Sequence, residues 1–193
     1  YSSFMGSYIW LGFGLGIVAF LVTFFKKELA PITTPIYSLC QGLVLGGISY
    51  MYAQQFDGIV FNAVCLTAFI LLSLLFAYKS RIIKATDNLK LGIFAATGGI
   101  GLFYIIGIVG LFLGFEVPFL SPTDGSITSI LITLFIVIIA SLNLVLDFDF
   151  IEEGSENGAP KYMEWYAAFG LMVTLVWLYL EILRLLAKIN SRD

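Results

Sequence analysis

Apolar residues in this chain do not alternate or form stripes; they come in unbroken blocks separated by short polar punctuation. Six blocks approach the roughly 20 residues that carry a helix across a bilayer. They run Tyr8 to Phe25, Pro35 to Ala53, Ile59 to Tyr78, Leu91 to Phe115, Ile127 to Leu146, and Tyr162 to Ala187. Lys26, Lys27, Glu28 and then Pro31 close the first block, and Pro35 opens the second from a favoured first-turn position. Lys79, Arg81 and Lys84 stop the third. The predicted class is an all-α integral membrane protein: one compact helical bundle domain spanning 1–193, with six transmembrane helices in this chain.

Composition narrows the function. The chain is 60% hydrophobic and only 12% charged, about half the charge of a soluble domain. A formal net charge of -3 gives no basic footprint for nucleic acid. There are no histidines, so the commonest metal ligand and the usual general base are both missing. A Ser or Cys nucleophile would have nothing to activate it. Phosphate-cradling and dinucleotide-binding glycine motifs are absent, and outside 147/149 there is no second intramembrane Asp for an aspartyl protease. No enzyme activity and no cofactor are expected. Cys40 and Cys65 both fall in apolar blocks and are read as reduced core residues.

The loops after the first, third and fifth helices carry Lys26, Lys27, Lys79, Arg81, Lys84, Lys90 and Lys161, whereas those after the second and fourth carry only Asp57, Glu116 and Asp124. The positive-inside rule then puts the basic loops in the cytoplasm and Tyr1 outside. Arg184, Lys188 and Arg192 near the C-terminus pull against that alternation. Gly12/Gly16, Gly42/Gly46 and Gly110/Gly114 are each four apart, a spacing that lets helix backbones approach closely in lipid.

Chemistry concentrates at the junction of the last two helices. Asp147, Asp149, Glu152, Glu153 and Glu156 lead into a short acidic loop, and Glu164 opens the last helix. Intramembrane ionisable groups are costly and mark ion or proton paths. Gathered carboxylates can ligate a hard cation such as calcium, or share protons and so respond to pH. The spacing does not fit an EF-hand loop. A short connection makes the last two helices antiparallel neighbours, with Asp147 or Asp149 level with Glu164. Glu181 and Arg184, three apart, read as an intrahelical ion pair near the interface, or as part of an outer mouth. Gln41 and Asn143 are lone amides suited to interhelical hydrogen bonds.

Several stretches resemble the bacterial YccA-like branch of the Bax inhibitor family. They are Asn143–Leu–Val–Leu–Asp–Phe–Asp–Phe–Ile–Glu, Ala159–Pro–Lys–Tyr–Met–Glu–Trp–Tyr–Ala–Ala–Phe–Gly, Leu180–Glu–Ile–Leu–Arg–Leu–Leu, and Thr34–Pro35 through Gln41–Gly42 to Gly46. The resemblance implies seven helices with the last one central. The first would precede Tyr1, in keeping with a chain that starts on Tyr rather than Met. It further implies a pH-sensitive calcium leak, in which aspartates on the sixth and seventh family helices share a proton and gate a pore. Asp147, deeper in its helix than Asp149, matches the first aspartate. Aligned on Tyr166-Ala167-Ala168, the second falls near Thr174, which cannot ionise, and a carboxylate of the family's third helix is replaced by Gln41. Glu164 is then the nearest partner in sequence, and Lys26 or Lys27 a cationic latch.

The expected function is therefore a pH-sensitive calcium leak channel. Asp147 and Asp149 serve as sensor and calcium ligand, Glu164 as partner, and Glu181 as an outer-mouth ligand. Its partners are the lipid bilayer, calcium ions and protons, and its expected place is a bacterial inner (plasma) membrane. The alternative from a different class is a regulator whose acidic loop docks on a membrane protease or stress-response complex. A proton-coupled transporter is a third reading.

Overall fold

A computed structural model of the chain describes residues 2–114, 121 and 124–192, with side chains from residue 10 onward. Among the described residues, six α-helices follow one another: α1 Ser2–Phe25, α2 Ala30–Ala53, α3 Ile59–Lys79, α4 Asp87–Phe112, α5 Ile127–Glu156 and α6 Tyr162–Asn190. A 3-10 turn at Lys27–Leu29 joins the first two. Helices α2 to α6 are long and apolar enough to cross a membrane, and α1 is apolar over Trp10–Phe25. The chain is a multi-pass, all-α integral membrane protein.

Where the helix ends differ from those expected, local chemistry explains the difference. Helix α2 begins at Ala30 with Pro31 in its first turn and takes Pro35 into its body. Pro31 lacks an N–H that would have no partner anyway, so only Pro35 gives up a helical bond. Helix α4 starts at Asp87 because the Thr86 side chain accepts from the Leu89 N–H at 3.4 Å, an N-cap that the apolar block alone does not reveal. Phe115, the expected end of that block, and Glu116 lie outside the described residues; α4 closes at Phe112.

The largest difference is in α5, which does not stop at Leu146 but continues to Glu156. Gly158, at φ 62, ends it. The Ala159 N–H bonds to the Gly154 carbonyl at 2.9 Å and the Gly158 N–H to that of Ser155 at 3.3 Å. That pair of bonds is a Schellman stop, in which a glycine takes the left-handed conformation. The acidic stretch expected as a loop is thus the last turns of a helix.

The chain resolves into two compact units, Tyr1–Asp57 with Asp147–Val176, and Gly58–Leu146 with Trp177–Asp193. Helices α5 and α6 each give residues to both. In the first unit, α1 lies close against α2 at Gly12, where an added Cβ would stand 3.1 Å from the Cys40 carbonyl oxygen and 3.3 Å from the Leu43 Cβ. Thr23 is fully buried and its hydroxyl bonds the Thr33 hydroxyl at 2.7 Å. Phe169 of α6 inserts an aromatic core, with ring centroids 5.0 Å from Tyr37 and 5.5 Å from Phe20. In the second unit, Ile100, Ile136 and Ile139 form the core, with Trp177 packed against it. Asn143 donates to the Thr97 hydroxyl at 2.9 Å, which ties α5 to α4. Phe61, Phe69, Phe76, Phe94 and Leu102 point outward, as a surface bathed in lipid tails requires. Cys40 and Cys65 are free thiols.

Within the Gly12/Gly16 and Gly42/Gly46 pairs, Gly12 is the position with the least room for a side chain. Gly12→Leu should destabilise the protein in detergent by about 1–3 kcal/mol, the usual cost of overpacking. Gly42→Ala, with open space around its would-be Cβ, should shift stability by no more than about 0.5 kcal/mol. Thermal unfolding followed by circular dichroism checks both.

Candidate ion and proton site

The helical extension of α5 sets the level at which its carboxylates meet α6. Asp147 lies within the spanning helix rather than in a loop. Gly170 of α6 lies beside it: an added Cβ would be in ordinary contact, 3.7 Å from Asp147 Oδ1. Thr174, one turn further along α6, presents its hydroxyl to the same carboxyl as a hydrogen-bond partner. Asp147 Oδ2 is buried and has no hydrogen-bond partner. An unsatisfied buried acceptor costs about 1–3 kcal/mol, more if it carries charge, so such an atom needs an explanation. A proton or a cation taken up there would supply the missing partner.

This placement changes the expected pairing. Asp147 lies level with Gly170 and Thr174, whereas Glu164 is exposed in the first turn of α6. The ten residues between Glu164 and Thr174 amount to roughly 15 Å of helix at 1.5 Å per residue. The reason is the length of α5: its acidic end runs past Asp147 for more than two turns before the chain reverses. The group facing Asp147 is thus Thr174, the position that the resemblance marks and that carries no charge here. Asp149 is partly buried on the same helix. Among the described residues no cluster of three or more His, Cys, Asp or Glu side chains could hold a metal ion.

Other predicted residues in the first unit have separate surroundings. The Lys27 ammonium sits 4.9 Å from the centroid of the Tyr166 ring, a cation–π contact that ties the turn after α1 to the start of α6. Lys26 is exposed. Gln41 acts on the Tyr37 hydroxyl one turn earlier, and its amide nitrogen lies 3.8 Å from where a Cβ on Gly16 of α1 would stand.

A second polar group lies in the other unit. Glu181 is only 3% exposed and is paired with Arg184 at 3.2 Å, the intrahelical pair expected from their spacing. The Glu181 end is buried while Arg184 keeps partial access to the surface, and the pair has a third member that the spacing did not indicate. Tyr104 of α4 donates its hydroxyl to Glu181 Oε1 at 2.7 Å and accepts from Arg184 Nη1 at 2.7 Å. Arg184 also lies 5.5 Å from the centroid of the Tyr104 ring. A carboxylate bonded in this way is satisfied without any ion.

Sequence reasoning missed Gly170 and Tyr104, and assigned no role to Lys188. The first two sit in apolar blocks rich in glycine and aromatics, where nothing sets them apart. Lys188 carried a signal, since its charge near the end of α6 conflicts with the loop alternation.

A model of the family described as Bax inhibitor 1 like matches residues 2–191. No curated protein and no solved structure matches the chain. The family match covers all six helices, from the start of α1 to the last turn of α6, and the chain therefore belongs to the Bax inhibitor 1-like family.

Proposed function

We propose that this chain is a pH-sensitive calcium leak pathway of its membrane, gated by protonation at the contact between α5 and α6. It is a conductor of ions and not a catalyst, working without a cofactor. The observation that carries the reading is Asp147 Oδ2, a buried carboxylate oxygen without a partner inside a membrane-spanning helix. When ionised, the carboxyl presents a full charge that a cation can neutralise. When protonated, it loses that charge and gains a donor. Either change alters what Thr174 and Gly170 must accommodate, and a helix contact poised between two arrangements needs only a few kcal/mol to shift. Asp149, two residues on, would be an accessory ligand. Family membership supports the α5 half of the reading, because an intramembrane carboxylate at the place of Asp147 is part of what the resemblance implies for the leak.

Thr174 makes the sensor a single carboxyl. The proton is then held by one side chain and not shared between two, so the pH dependence should follow one simple titration. Calcium requires the ionised form, so entry should fall as the pH is lowered.

Calcium entry into dye-loaded proteoliposomes, followed across roughly pH 5–8, tests this. Asp147→Asn should lower entry at neutral pH by about tenfold, the factor that corresponds to 1.4 kcal/mol, and flatten the profile. Asp149→Asn should lower entry less and leave the profile's shape intact. Folded protein with no entry above that of empty liposomes would remove the leak reading and favour a regulator that docks on another membrane protein.

The second prediction uses the residue particular to this chain. Thr174→Asp places two carboxyls in contact, and interacting acids lose their protons in two macroscopic steps. Its flux–pH curve should broaden into two phases, while Thr174→Val should keep one. A single-phase curve for Thr174→Asp would show that residue 174 does not face the sensor.

A further inference from the structure

Lys188 is the most deeply buried charged side chain among the described residues, at 1% exposure. It lies two residues from the end of α6, where a lysine stem can ordinarily carry its ammonium out to water. Instead Nζ points inward and donates to the Ser129 hydroxyl at 2.7 Å and the Thr133 hydroxyl at 2.9 Å. Ser129 and Thr133 are themselves almost fully buried, and the Thr133 hydroxyl donates onward to the Ser129 carbonyl at 2.9 Å. The two hydroxyl oxygens are thus left to accept from the ammonium.

Two helix ends act on the ammonium in opposite senses: Lys188 is in the last turn of α6, which favours a cation, whereas Ser129 lies in the first turn of α5, which disfavours one. Side-chain charge acts on it as well. Arg184, Asp124 and Glu181 are among the charged groups that act on Lys188. Asp124 lies outside the spans, and the Ser126 backbone N–H holds its carboxyl below the ordinary carboxylate range. Asp124 and Glu181 are the negative charges of this group and Arg184 its other positive one. Removing the Lys188 side chain leaves a pair of buried hydroxyl oxygens without the cation that they now hold.

We propose that Ser129 and Thr133 form a site for a monovalent cation of ammonium size, which the chain fills with its own tethered cation, Lys188, and so keeps closed to free ions. An alkylammonium head and a dehydrated potassium ion are alike in size and charge, and both take hydroxyl oxygens as neighbours. A fixed positive charge in that seat also repels an approaching ion. The proposal rests on the channel reading only in taking the chain to be crossed by cations; it does not depend on the Asp147 sensor.

The test uses the full chain in proteoliposomes, with potassium as the permeant probe and calcium entry by the wild type measured in parallel. Lys188→Ala should raise potassium flux about tenfold over wild type by removing plug and like-charge repulsion together. Propylammonium, which reproduces the atoms deleted from the lysine, should return that flux to the wild-type level. Lys188→Met keeps the stem's volume without its charge, and should raise potassium flux with no response to propylammonium. Wild-type-level potassium flux in the folded variants would overturn the proposal and leave Lys188 as a packing anchor. If Lys188→Ala does not fold, Lys188→Met decides by the same criterion. A wild type silent to calcium, beside variants that pass potassium and are blocked as described, would sink the calcium leak and keep the plug.

Discussion

A polar group that leaves water inside a membrane must find its partner within the protein, because lipid tails offer none. Most polar side chains described here obey that constraint by short local bonds: Thr23 to Ala19, Thr67 to Ala63, Thr133 to Ser129 and Ser141 to Val137, each to a carbonyl one turn back. These hydroxyls remain neutral to the fold and allow helices to pack at small residues. The charged groups cannot be satisfied so cheaply. Glu181 draws in Tyr104 and Arg184, and Lys188 draws in Ser129 and Thr133. Those two clusters fix the relation of α6 to α4 and α5 in the second unit more specifically than its apolar contacts do, since isoleucine against isoleucine tolerates sliding. Asp147 is the exception to the constraint. Its unpartnered oxygen sits beside Gly170 of α6, and that local debt is what the proposed response to a proton or an ion rests on.

The class of the protein was legible because the bilayer imposes one length on every crossing. Six apolar blocks with breakers between them are sufficient to count six helices. Their ends were less legible, for reasons that differ from helix to helix. Thr86 is an N-cap of ordinary kind, but it lies in a basic stretch that reads as a loop. Asn157-Gly158 is a recognisable helix stop, yet the five carboxylates before it look like solvent-exposed loop. Helix formation there costs the unfavourable interaction of the last-turn carboxylates, Glu153 and Glu156, with the C-terminal end of the dipole, some 0.3–1 kcal/mol apiece. Ten residues of continuing helix offset that with backbone hydrogen bonds.

The same ten residues decided how much of the site could be read. Ending α5 at Leu146 brings Asp147 to the first turn of α6 and makes Glu164 its neighbour. Continuing it to Glu156 moves the meeting point to Gly170 and Thr174. Asp147 was legible as a residue; its neighbour was not, because the neighbour depends on where the chain reverses. The resemblance, unlike the spacing, pointed to the level of Thr174 on α6. Lone amides were read in kind: Asn143 does bridge to another helix, whereas Gln41 acts on Tyr37 of its own. Tyr104 gave no signal, because a tyrosine among ten in an aromatic-rich chain is unremarkable until a buried carboxylate is found beside it.

Replacing a carboxyl by a threonine opposite Asp147 has a consequence for how such a contact can switch. Two facing acids that share one proton are held together by a hydrogen bond whose loss leaves two like charges in contact, so their separation is driven hard. A threonine hydroxyl can donate to the aspartate in either protonation state, so deprotonation does not break the bond and adds no repulsion. What changes is only the charge left in apolar surroundings, and that charge is relieved by admitting water or a cation and not by pushing α5 and α6 apart. In this chain the proposed gate is therefore a change in what fills the contact more than a movement of the helices that form it. Gly170 suits that mode, since a residue without a side chain leaves the movement at this contact to Asp147.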